Sequence, residues 1–137
     1  MRAAAFALLA SLVACACEPS AKDPTPMTQE SLPDWSGPPL QVQTLADGGI
    51  SLELLAPTAN HSFVVAAVDT TPGVATIRML HTTPGDAFVA QVITPLRATV
   101  EASRLGGARR IDVRIATKAG PSAPAGAERL AFVLMRP

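Results

Sequence analysis

The stretch HSFVVAAVDTTPGVATIRMLHTTPG, residues 61–85, decides the fold class. Phe63, Val65 and Ala67 alternate with a second set, and β-branched residues cluster at 63–68, which favours an extended chain over a helix. The tetrapeptide Thr-Thr-Pro-Gly occurs twice, at 70–73 and 82–85, one strand length apart. Proline presets the negative dihedral of a turn and the following glycine accepts the positive one, the type II arrangement. Strands near 61–69, 74–81 and 87–94 are therefore expected as an antiparallel meander. Val64, Ala66 and Val68 are apolar too, so the first of these reads as a strand buried on both faces.

The same period runs outward in both directions. Ile50, Leu52 and Leu54 share one face, as do Ile111, Val113 and Ile115, and Leu130, Phe132 and Leu134. Breaks fall at Asp47-Gly48-Gly49, at Leu105-Gly106-Gly107 and through 119–127, where alanine, proline and glycine predict a long exposed loop. About eight short strands and no convincing helix follow from this spacing. The expected fold is all-β, an antiparallel sandwich or partly open barrel over residues 40–137. Phe63, Phe88 and Phe132 are its aromatic residues, and all three are expected to pack inside strands.

The chain opens differently. Arg2 precedes an apolar run from Ala3 to Ala14, too short to cross a bilayer, which takes roughly 20 helical residues. Leu12-Val13-Ala14-Cys15 closes that run and resembles the lipobox of bacterial lipoproteins. The resemblance implies a signal peptide over residues 1–14, with Cys15 lipidated and left as the first mature residue. Ala16 follows it where an aspartate would favour inner-membrane retention, so the resemblance implies an outer-membrane lipoprotein of the cell envelope. More than one acyl chain makes such an anchor persistent, because a single chain binds only marginally.

Residues 15–39 read as a linker. From 16 to 39 there are six prolines, four acids and few large apolar groups. Such a segment buries too little to offset the entropy of ordering. As polyproline II it spans roughly 70 Å. Trp35, the sole tryptophan, is the exception, and it is expected to dock back on the domain.

Charge excludes one class of partner. The chain from Cys15 carries ten Lys+Arg against eleven Asp+Glu, without the strongly basic face that nucleic acid demands. The basic residues gather late: eight basic and three acidic residues lie between Arg97 and Pro137. Arg97, Arg109, Arg110 and Arg114 could form a basic face for an envelope protein or polymer. The plainer expectation is solvated charge, because Arg110, Asp112 and Arg114 alternate with core positions. Both cysteines, Cys15 and Cys17, lie at the cleavage site, so the domain must fold without disulfides.

Chemistry is sparse. No HExxH, Gly-x-Ser-x-Gly, phosphate loop or dinucleotide fingerprint is present, and tyrosine is absent. His61 and His81 are the only histidines. One opens a predicted strand and the other closes its neighbour, so an antiparallel pairing sets them side by side. Asp69 lies at the opposite end of the first strand, and Asp86 lies beyond a turn. Two strand-end histidines alone read as surface polar residues, and no cofactor, metal or catalytic residue is assigned.

One further likeness involves His61-Ser62-Phe63-Val64-Val65, Ala75-Thr76-Ile77, Thr83-Pro84-Gly85 and Val89-Ala90-Gln91-Val92-Ile93-Thr94-Pro95. These some 35 residues resemble the C-terminal β-domain found in the B-type components of protease complexes. Members tend to carry Gly-Tyr at the position of His61-Ser62 and a cysteine near Phe88, and this chain has neither. The resemblance implies an accessory, noncatalytic envelope domain. The sequence thus points to a membrane-anchored, nonenzymatic binding or accessory protein. The alternative is a periplasmic lipoprotein that binds a small ligand or metal through His61 and His81.

Overall fold

Alternation along the chain resolves into seven strands in the computed structural model, which describes residues 33–85 and 88–137. They are β1 (Leu40–Thr44), β2 (Ile50–Ala56), β3 (Ser62–Thr71), β4 (Val74–Thr83), β5 (Thr94–Val100), β6 (Arg110–Ala119) and β7 (Arg129–Met135). A single 3-10 turn, Ala102–Leu105, is the only helical element among the described residues. The expected signal peptide over residues 1–14, Cys15, Cys17 and the expected linker up to residue 32 lie outside them.

Two open sheets form, ordered β1-β2-β5 and β3-β4-β6-β7. Their facing sides make one core. Ile50, Leu52, Leu54 and Val100 enter from the first sheet; Ile77, Met79, Ile111, Val113 and Ile115 enter from the second. Leu105 of the 3-10 turn joins them. Each fully buried aliphatic side chain contributes about 1.5–3 kcal/mol, which is how the domain holds together with no disulfide. The all-β expectation is met, as a sandwich and not a closed barrel.

The first Thr-Thr-Pro-Gly builds the β3–β4 hairpin, with Thr71 opposite Val74 and Gly73 at φ 82°. The Gly73 carbonyl then accepts the N–H groups of Arg109 and Arg110, both at 3.1 Å, which ties the hairpin turn to the start of β6.

The expected meander stops there. After the second Thr-Thr-Pro-Gly, residues 88–93 form no strand. The Ala90 carbonyl instead takes the N–H of Ala59 at 3.1 Å and of Val92 at 3.0 Å. The chain crosses to the other sheet, where β5 pairs with β2, and returns as β6. That strand lies parallel to β4, with Val74 opposite Arg110 and Thr83 opposite Ala119. A parallel neighbour requires a long crossover, and β5 with the 3-10 turn supplies it.

Two other expectations change. Phe88 is fully exposed and lies outside every strand, so it does not pack. β3 is not buried on both faces, because it is an edge strand whose outer face has no covering layer among the described residues. Val64 and Ala66 are exposed on it, and a bulge falls between Val65 and Ala67.

The registers place β1, β3, β5 and β7 starting, and β2, β4 and β6 ending, at one end of the sandwich. The described chain also begins there. Asp34 N–H donates to the Leu130 carbonyl at 2.9 Å, and Leu55 N–H donates to the Pro39 carbonyl at 3.0 Å. Residues 33–39 therefore run along the domain ahead of β1. The opposite end holds the β3–β4 turn, the 3-10 turn and Arg136, which donates to the Gly48 carbonyl.

Candidate functional site: a histidine pair beneath Trp35

The inner row of β4 reads Ala75, Ile77, Met79 and His81, so period two carries a histidine to the last core position before the strand end. His81 faces Phe63 across the hairpin. It is only 2% exposed, deeper than the surface position expected of a strand-end histidine. His61 stands two residues before Phe63, on the same side. Asn60 precedes it at φ 62°, a left-handed conformation that asparagine tolerates better than most residues. The loop from Pro57 to His61 can therefore turn tightly enough to bring the second ring in.

The adjacency read from the strand ends is present. His61 Nδ1 lies 2.9 Å from His81 Nε2, and His61 Nε2 lies 2.8 Å from Thr58 Oγ1. The ring planes are 12° from parallel with centroids 5.1 Å apart. The contact therefore runs nitrogen to nitrogen along one line.

One buried atom chooses the tautomers. His81 Nδ1 is buried with no hydrogen-bond partner. If His61 donated from Nδ1, His81 would have to carry its proton on Nδ1, leaving a buried N–H unmade. If His81 donates from Nε2 to His61 Nδ1, the atom left over is only a lone pair. His61 then donates from Nε2 to Thr58 Oγ1. Orphaned donors are the rarer and costlier case, so the second assignment is preferred.

That choice bears on chemistry. Thr58, His61 and His81 have the linear outline of a nucleophile, a base and an orienting group. In the preferred tautomer, however, His61 Nε2 already holds a proton and cannot take one from Thr58. Nor is His81 the anion that would stabilise an imidazolium. Burial, and secondarily the neighbouring His61, lower the His81 pKa to about 4. Burial lowers that of His61 as well. Both rings are neutral near pH 7.

Trp35 covers the pair. Its indole meets the His81 ring edge-on, with centroids 6.4 Å apart and planes at 72°. Its Nε1–H donates to the Pro38 carbonyl at 2.9 Å, so the half-buried indole has a partner. The expected docking of Trp35 on the domain is present, since it packs against the core. Gly37 permits it: a Cβ there would lie 2.1 Å from the indole. Beside this cover opens a cleft of about 500 Å³, reached by Pro57, Thr83, Ile115 and Thr117 as well as the two histidines.

The structure leaves other sequence candidates apart. Asp69 pairs with Arg78 at 3.3 Å near the far end of β3, and Asp86 lies outside the described residues. Among the described residues, no three His, Cys, Asp or Glu side chains gather as a metal site. The four arginines do not share one face. Arg97 pairs with Glu53 on the outer side of the three-stranded sheet. Arg110 and Arg114 lie on the outer side of the other sheet, with Arg110 bonded to Asp112 at 2.7 Å. Arg109 sits at the end away from the cleft. Sequence reasoning missed Thr58, Gly37 and Pro38 at the site. Only the Gly-Pro-Pro after Trp35 could have signalled a docked turn.

Comparison with protein-family models, with curated proteins and with solved structures found no match to this chain. Among the described residues no helix is long and apolar enough to cross a membrane.

Proposed function

We propose that the chain is a lipid-anchored protein of the bacterial cell envelope whose β-sandwich binds another envelope component without catalysing a reaction. The cleft beneath Trp35 carries the binding part of this reading. It presents an aromatic wall, apolar Ile115 and Pro57, and a neutral histidine pair, the mix of apolar lining and few polar groups that ligand sites use. The anchor part rests on Leu12-Val13-Ala14-Cys15. A photo-crosslinking residue placed at Thr83, on the cleft wall, tests both in intact cells. One dominant adduct, absent from a Cys15→Ser chain, is the expected result. Adducts of equal yield at Thr83 and at Ser51, on the outer face of the other sheet, would overturn the cleft as the site.

A second reading keeps His61 and His81 as metal ligands, since imidazole suits zinc and copper. It requires the 2.9 Å hydrogen bond between His61 Nδ1 and His81 Nε2 to open, because two nitrogens each about 2.0–2.1 Å from one metal stand farther apart. Zinc titration separates the two readings. A rise in melting temperature abolished by His61→Ala supports metal binding, and an unchanged melting temperature in excess zinc removes it.

A further inference from the structure

Large apolar side chains are exposed in one short run. Phe88 is 106% exposed, Val92 57% and Ile93 72%, within six residues. No charged residue occurs from Phe88 to Leu96. Of the other exposed apolar side chains, Val64 stands on the edge strand β3 and Met135 at the opposite end of the sandwich. Single exposed apolar residues are ordinary, whereas a cluster marks a contact surface.

Position says what the contact is. The cluster lies between the end of β4 and the start of β5, and the Ala59–Ala90 hydrogen bond ties it to the loop before β3. That is the same end at which the described chain begins, with Asp34 bonded to Leu130. Seventeen residues separate Cys15 from Pro33, a reach of at most roughly 60 Å when fully extended. A chain anchored at Cys15 joins the domain at this end, and the anchor raises the local concentration of lipid around it. Weak insertion then becomes effective without strong affinity of its own. Asp34 pairs with Arg129, and Glu128 and Asp69 share Arg78, so these charges offer no net attraction to anionic headgroups. Attraction here is apolar, not ionic.

We infer that the end of the sandwich where the tether joins is a bilayer-contacting surface, with Phe88, Val92 and Ile93 entering the lipid interface. The inference rests on the anchor reading at Cys15. It sets the domain end-on to its membrane, with the cleft facing the headgroups and the Arg104–Arg109 end facing away.

The full lipidated chain, with Cys17→Ser and reconstituted into phosphatidylethanolamine–phosphatidylglycerol vesicles, tests it. An environment-sensitive fluorophore is attached at Phe88→Cys or, for the far end, at Arg104→Cys, and nitroxide-labelled lipid is the quencher. Quenching at 88 several-fold above that at 104 is expected. That difference should vanish when Val92 and Ile93 are both changed to Ser in the Phe88→Cys chain. Equal quenching at both positions, or none at either while the protein stays on the vesicles, overturns the inference and leaves the anchor standing. Protein that carries no lipid and does not stay on the vesicles overturns the anchor reading, and the inference falls with it.

Discussion

His81 shows how one residue's placement sets a property of the whole domain. Burial holds its pKa at about 4, below the ordinary 6.5, so the folded state binds fewer protons than the unfolded chain between those values. Its contribution is complete above pH 6.5 and is lost as pH falls toward 4, amounting to at most roughly 3 kcal/mol. Urea unfolding at a series of pH values should show that slope. His81→Gln keeps a donor toward His61 but does not titrate, so it should flatten the curve; an unchanged slope would assign the pH dependence elsewhere. Trp35 offers a second residue-scale test. It is the sole tryptophan, so fluorescence reports it alone. Gly37→Ala puts a methyl into the indole and should drive the emission to the red as Trp35 leaves His81. An unshifted spectrum would mean that the cover tolerates what the geometry forbids.

At the scale of elements, the two sides of the second sheet should respond very differently. Ile77, wholly buried on β4, should cost about 2–5 kcal/mol when changed to alanine. Val64, exposed on the edge strand β3, should tolerate threonine within about 0.5 kcal/mol. Comparable losses at both would restore the two-sided burial that the apolar run Val64, Ala66 and Val68 suggested. That run also shows where sequence stops being informative. Period two and the Pro-Gly turns revealed the β3–β4 hairpin, and the hairpin in turn set His61 beside His81. Nothing local distinguishes an apolar residue facing a second layer from one facing water at an edge. Residues 88–93 have the composition of a strand yet find no partner, since the chain is already crossing to β2. The parallel pairing of β4 with β6 joins segments with β5 between them, a contact that no local pattern encodes. Trp35 docks through Gly37 and Pro38, a tertiary fit and not a periodicity.

For the whole molecule, the proposed function draws on two separate parts: the Leu12-Val13-Ala14-Cys15 stretch that resembles a lipobox, and a sandwich whose residues 40–137 contain no cysteine. The structure adds that the cleft, the exposed apolar run and the first described residues lie at one end of that sandwich. It also separates Arg97 from Arg110 and Arg114, so reversing charge at Arg97 alone should leave any interaction of the other sheet intact. Pull-down of the crosslinked partner by Arg97→Glu checks this, and loss of the partner would reinstate a shared basic face. The central claim, that this domain works while held by a lipid at Cys15, is tested most directly by intact-mass spectrometry of the protein from the envelope fraction. The account predicts a chain beginning at Cys15 and heavier than its residues by the mass of a lipid. A chain of unmodified mass, or one beginning elsewhere, would contradict it.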